Sequence, residues 1–184
     1  MDKFNIESLS FVELSGNEGH EFYDMLQRIG PNENMFNNDA HGLSYKQYER
    51  WLIRQLEWSK GENLPDGYVR QWVFWLMDNN EPVGYGKLRE RLTDSSRRFG
   101  GNIGFAIDPL KRGLGYGYYL FDFLLDEAIR KGIVEVMSTV EKGNWPSKKI
   151  HEKCGGVLVE ENDERFIFDF SERLEKERNN NVLC

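Results

Sequence analysis

Apolar positions follow two rhythms along the chain, and the change between them divides it. Over residues 16–29, Phe22, Leu26 and Ile29 recur at helical spacing. GPNENMFNNDAHG, residues 30–42, is loop chemistry, dense in Asn, Gly and Pro. Ser44 and Gln47 then have the spacing of a capping box, and Tyr45, Tyr48, Leu52 and Leu56 continue one face of a second helix. KGENLPDGY (60–68) ends it with a turn. From there the period shortens. QWVFWLM (71–77) is apolar on both faces, as a strand covered on both sides is, so Trp72, Phe74 and Trp75 are expected in the core. DNNEP (78–82) is a turn, and VGYGKLRERL (83–92) returns as the partner strand of an antiparallel hairpin. TDSSRRFGG (93–101) reads as a loop and NIGFAI (102–107) as a short strand.

A helical rhythm resumes after a glycine-rich stretch. Leu120, Phe121, Leu124, Leu125 and Ala128 share one stripe, Asp126–Arg130 and Glu127–Lys131 are i,i+4 pairs, and Gly132 is placed to close the helix. IVEVMSTV (133–140) predicts a strand. NWPSKKIHEKC (144–154) predicts a short helix, with Pro146 in its first turn and Gly155 and Gly156 stopping it. VLVE and RFIFDF form a last hairpin, and residues 171–184 are a polar tail, a frayed helix or a disordered end. With no repeat and no linker, residues 1–184 read as one domain. The expected fold class is α/β of the α+β kind: a mixed, mostly antiparallel central sheet flanked by helices.

Composition narrows the function. A formal net charge of -7 argues against broad binding to nucleic acid or anionic membranes. No apolar run approaches the ~20 residues of a membrane span, and the N-terminus lacks a signal-peptide core. Cys154 and Cys184 make no disulfide framework and sit at no metal-ligand spacing, so no metal and a reducing cytoplasm are expected. A monomer and a homodimer both stay open. His20 and His41 have no partners at ligand spacing and read as surface residues. Tyr85, Lys87, Arg89 and Arg91 alternate onto one strand face, either a solvated surface or a cationic wall for an acceptor bearing a carboxylate.

The chemistry is concentrated in FAIDPLKRGLGYGYYL (105–120), where a strand runs through Lys111 and Arg112 into Gly113, Gly115 and Gly117 and then a helix. A helix N-terminus presents unpaired amides and a positive dipole end. Glycines let an anion approach them. The pattern is either a plain strand-to-helix turn or a phosphate or diphosphate seat, and three alternating glycines after Lys-Arg are more than a turn needs. It lacks the Lys-Ser/Thr that follows a P-loop's last glycine, and residue 118 is Tyr, which breaks the dinucleotide fingerprint.

Arg112-Gly113-Leu114-Gly115-Tyr116-Gly117 resembles the R-x-x-G-x-G diphosphate loop of the GNAT family of N-acetyltransferases. Asn144, Ser147, Ile150, Glu152, Lys153, Gly155 and Gly156 resemble its later segment, and residues 61–89 are similar to a bacterial branch of such acetyltransferases. The resemblance implies acetyl-CoA as co-substrate and a primary amine of a small molecule or peptide as acceptor, acetylated by direct attack. It implies pantetheine in a split of the sheet against Phe105, Ala106 and Ile107, with Asn144 and Ser147 on the other side. The diphosphate would then lie beside Arg112 and Gly113, on the amides of Leu114, Gly115, Tyr116, Gly117 and Tyr118. His151 stands where relatives often carry a tyrosine, and is the candidate acid for the thiolate. Glu90 and Glu141 are candidate bases, unless orientation alone suffices. The competing reading is a CoA-binding sensor without turnover.

Overall fold

The computed structural model describes residues 6–182. β1 (Leu9–Glu13) precedes α1 (His20–Arg28), a small hairpin of β2 (Asn32–Glu33) and β3 (Phe36–Asn37), and α2 (Tyr45–Lys60). β4 (Gln71–Asp78), β5 (Glu81–Arg89), α3 (Asp94–Arg98) and β6 (Ile103–Ile107) follow. A 3₁₀ turn at Pro109–Lys111 leads into α4 (Tyr116–Arg130), β7 (Met137–Glu141), α5 (Trp145–Lys153), β8 (Val157–Glu161), β9 (Arg165–Asp169) and α6 (Ser171–Val182).

Two antiparallel sheets carry these elements, in the orders β1-β4-β5-β6 and β7-β9-β8. The doubly apolar β4 is explained by layers on both of its faces. Trp72, Phe74 and Leu76 pack with Leu120, Phe121 and Leu124 of α4. Val73, Trp75 and Met77 pack with Leu26 of α1 and with Tyr48 and Trp51 of α2. β5 brings glycines to the α4 side, where a Cβ at Gly86 would lie 2.7 Å from Leu124 Cδ1 and one at Gly84 would lie 3.1 Å from Leu120 Cδ2. Their absence of side chains lets α4 lie flat on the sheet. The expected stripe on α4 is buried throughout. Gln47 Oε1 accepts from the Ser44 amide at 2.8 Å at the start of α2, and Gly132, at φ +75°, follows the end of α4.

Several expectations need correction. Residues 94–98 form a helix, not a loop, because Thr93 Oγ1 caps it, accepting from the Ser96 amide at 3.0 Å. The strand expected from residue 133 begins at Met137; Ile133 and Val136 are apolar because the link between α4 and β7 crosses the core. The polar tail is helical to Val182. Leu174 is fully buried, while Arg173 binds Asp122 and Glu177, each at 2.8 Å. The two i,i+4 pairs of α4 are replaced by longer-range ones, Asp126 with Arg173 and Lys131 with Glu13, and Arg130 turns to Glu127. The loop at 30–42 contains the β2–β3 hairpin. His20 is exposed and stacks on Tyr45, and Cys154 is buried at the end of α5; Cys184 lies outside the described residues. Among the described residues no helix is long and apolar enough to cross a membrane, and no cluster of His, Cys, Asp and Glu has the makings of a metal site.

Candidate active site

The two sheets meet at one corner and part from there. Gly101 bridges Ser138, the Asn102 amide donates to Met137 O at 2.7 Å, and the Met137 amide donates to Asn102 Oδ1 at 3.0 Å. A Cβ at Gly101 would sit 2.1 Å from Met137 O, so only glycine allows this closeness. Past the corner β6 pairs with β5 along one edge, and no ladder joins its other edge to β7. Backbone donors and acceptors of β6 thus face a gap rather than a neighbour, as a polar guest would need. A cavity of about 810 Å³ fills the split. Phe105, Ala106 and Ile107 line one side, and Asn144, Ser147 and His151 the other.

The glycine loop closes one end of this cavity. Arg112, Gly113, Gly115, Tyr116, Gly117 and Tyr118 all line it, whereas Leu114 turns its side chain to solvent. Gly115 ends the loop at φ +104°, and no side chain caps α4 behind it. At Gly113, φ is +80° and a Cβ would meet nothing within 4 Å, so the approach is open. Gly117 is small for another reason: its Cβ would press on Ile150 Cδ1 at 3.0 Å, so it seats α4 against α5. One donor expected here is already engaged, since the Tyr118 amide donates to Gly115 O at 3.1 Å. The Tyr116 hydroxyl donates to Asp78 Oδ2 at 2.5 Å and pins the start of α4 to the end of β4; burial and that carboxylate push its pKa up to about 12. Buried Asp108 accepts three hydrogen bonds from Arg28 at 3.2, 2.9 and 2.6 Å and one from the Leu110 amide at 3.0 Å, fixing the loop's other root. Lys111 pairs with Glu81, and Arg112 with Glu33. Both partners of the Arg112 pair are partly exposed, and such a pair holds its cation weakly.

On the far wall, Asn144 Oδ1 caps α5, accepting from the Ser147 amide at 3.3 Å. His151 is buried one turn further on. Its Nδ1 lies 2.8 Å from Ser147 O, which can only accept, so Nδ1 carries the proton. Nε2 is then the acceptor for the Ser138 hydroxyl, also at 2.8 Å. Burial pushes its pKa down to about 4, against the Ser147 hydrogen bond. A neutral imidazole with both nitrogens engaged is a brace between α5 and β7. It is poorly placed for the acid role expected of it, because its one proton is held by a backbone carbonyl.

Neither candidate base lines the cavity. Glu90 is exposed just beyond β5, 3.7 Å from Arg70, and Glu141 ends β7 opposite Arg165. The alternating face of β5 fares differently. Tyr85 is buried in the core, Lys87 and Arg89 reach the cavity, and Arg91 lies past the strand's end. The cavity extends over Asn37, Lys87, Arg89 and Phe99, where it borders a second one of about 620 Å³. Sequence reasoning missed this mouth, apart from the alternation at residues 85–91, because β3 and Phe99 come from segments read as loops.

A family profile described as Acetyltransferase (GNAT) family matches residues 22–156. No curated protein matches the chain. Among solved structures, a ribosomal-protein-S5-alanine acetyltransferase from Vibrio fischeri is similar at 15% identity and TM-score 0.63, over 90% of this chain and 94% of that one. A GNAT-family acetyltransferase from Streptococcus pneumoniae is similar at 16% identity and TM-score 0.59, over 88% and 97%. The N-acetyltransferase PseH of Campylobacter jejuni, solved in complex with acetyl coenzyme A, is similar at 11% identity and TM-score 0.57, over 88% and 96%.

Proposed function

The chain belongs to the GNAT acetyltransferase family, and we propose that it moves an acetyl group from acetyl-CoA to a primary amine of a small molecule or peptide by direct attack. The observation that carries this reading is the uncapped N-terminus of α4, set behind Gly113 and Gly115 at the end of the split between β6 and β7. In this reading the CoA diphosphate takes amides of residues 113–117 and the positive end of the helix, and Arg112 leaves Glu33 for it. Pantetheine runs along Phe105, Ala106 and Ile107, with Asn144 and Ser147 opposite. Placed so, the thioester points toward the mouth formed by Lys87, Arg89 and Phe99.

The chemistry then makes modest demands on side chains. The amine must arrive neutral, because an ammonium has no lone pair. As it attacks, the carbonyl oxygen gains charge, and a backbone N–H on the open edge of β6 stabilises it. The C–S bond breaks readily, since a thiol of pKa about 8.5 is a good leaving group, and the departing thiolate takes up, through water, the proton that the amine nitrogen sheds. His151 acts as a positioning residue for this wall, not as the acid, and Glu90 and Glu141 take no part. Orientation in the split supplies much of the rate.

The sensor alternative has no observation in its favour. We also read residues 1–184 as one domain that works in the cytoplasm. The test is thiol release from acetyl-CoA across a broad panel of amines, alongside acetyl-CoA-dependent thermal stabilisation. Stabilisation with acetylation of at least one amine class is expected. Tight binding without transfer to any acceptor would favour the sensor.

A further inference from the structure

The mouth of the split carries an unusual charge arrangement for so acidic a protein. The second cavity is bounded by Arg54, Lys87 and Arg89 against one carboxylate, Asp39, with Trp58 and Tyr68 forming an aromatic wall, their rings 5.2 Å apart. Asp39 is fully engaged. It accepts from Lys87 Nζ at 3.0 Å, Arg54 at 3.1 Å and Trp51 Nε1 at 2.9 Å. Burial would raise its pKa, but Lys87 beside it holds it below the usual carboxylate range. Arg54 and Lys87 therefore share one carboxylate, and the trio keeps a net positive charge.

Arg89 is left over. It is half-buried between the two cavities, lines both of them, and its NH1 donates to Gly101 O at 3.1 Å. Among the described residues it has no carboxylate partner, and burial pulls its pKa down with only Tyr85 and Tyr68 opposing. Keeping a cation in such a place is costly unless an anion joins it. A guanidinium has five N–H groups in a planar fork, and one carbonyl does not satisfy them. The fork lies beside Gly101, at the corner where β6 and β7 part, on the side opposite the CoA loop.

We propose that Arg89 is the anchor for a carboxylate on the acceptor, so that the protein acetylates amines that carry a carboxylate, entering by the second cavity. The inference rests on the acetyltransferase reading. The bidentate geometry of arginine suits a planar carboxylate. Lys87 and Arg54 add field rather than contacts, and the Trp58–Tyr68 wall covers the acceptor's apolar part. Binding the carboxylate at Arg89 directs the amine toward the split, where the thioester lies.

The test compares amino acids and short peptides bearing a free carboxylate with their carboxamides, and with aminoalkyl phosphates. Thiol release is followed for the wild type, Arg89→Gln and Arg89→Lys, and acetyl-CoA-dependent stabilisation is measured on each. For the wild type, kcat/KM should be about 10- to 100-fold higher for carboxylates than for carboxamides. In Arg89→Gln that preference should vanish through acceptor KM, with acetyl-CoA stabilisation unmoved, and Arg89→Lys should restore part of it. Should a variant fail to fold, the wild-type preference decides alone. Equal use of carboxamides overturns the inference while leaving the transferase reading intact, and a preference for phosphates overturns the carboxylate assignment. Absence of transfer to every amine, with acetyl-CoA bound, overturns both.

Discussion

Replacing Gly115 by aspartate puts a carboxylate where the diphosphate is proposed to sit. Two costs follow, and they are separable. The first falls on folding: Gly115 has φ +104°, which side-chain-bearing residues rarely adopt, and the strain is about 1–3 kcal/mol. The second falls on binding. One added negative charge about 5 Å from a phosphate charge, at an effective dielectric of about 20, opposes it by about 3 kcal/mol. That weakens the complex by roughly 150-fold. Acetyl-CoA at about 100 times its Kd stabilises the wild type by about 2.7 kcal/mol, or roughly 5–10 °C in a domain of this size. At the same concentration the variant would keep only about 0.3 kcal/mol, a shift of about 1 °C. Differential scanning fluorimetry with and without acetyl-CoA reads both quantities, and Gly115→Ala isolates the strain. A folded Gly115→Asp protein with the full ligand-induced shift would refute the placement of the diphosphate.

Two further outcomes concern stability. Leu174→Ala should cost about 2–5 kcal/mol in urea unfolding, because Leu174 is fully buried under the last helix; a loss below about 0.5 kcal/mol would mean that α6 does not contribute to the fold. His151 sets a pH dependence whose sign is fixed by its depressed pKa. Above about 6.5 both folded and unfolded forms are neutral; on acidification toward about 4 the unfolded chain takes up a proton that the folded protein refuses. Stability therefore falls with pH across that window, by about 2 kcal/mol between pH 7 and pH 5 from this group. Urea titrations of the wild type and His151→Gln at both pH values should differ by that amount, and identical pH slopes would contradict the assignment.

The sequence was most readable where one local rule sufficed. The apolar stripe from Leu120 to Ala128 could only face a core, and the glycines before α4 marked a backbone left open at Gly113, although Gly117 is small because α5 packs on it. Gly132 and the Ser44–Gln47 cap were legible for the same reason. Segments decided by distant partners were not. Residues 171–182 are helical although nearly all polar, because Leu174 docks on α4 and Arg173 reaches Asp122 and Asp126. Ile133 and Val136 look like strand residues and are instead buried in a crossing link. Glu90 and Glu141 were plausible bases by type, but that neither lines the split is a property of the fold. His151 fell at the right place in the motif; its engagement by Ser138 and Ser147 became visible only when β7 and α5 were brought together. The alternation through Lys87 and Arg89 was legible, but not that Asp39 neutralises one and leaves the other unpaired.

Whether backbone amides at the mouth of α4 hold the diphosphate of coenzyme A is decided by a crystal structure with CoA bound. Diphosphate oxygens should lie at about 2.7–3.2 Å from amides within residues 113–117, with pantetheine along Phe105 to Ile107. A CoA bound elsewhere, with the approach past Gly113 and Gly115 left to solvent, would contradict it.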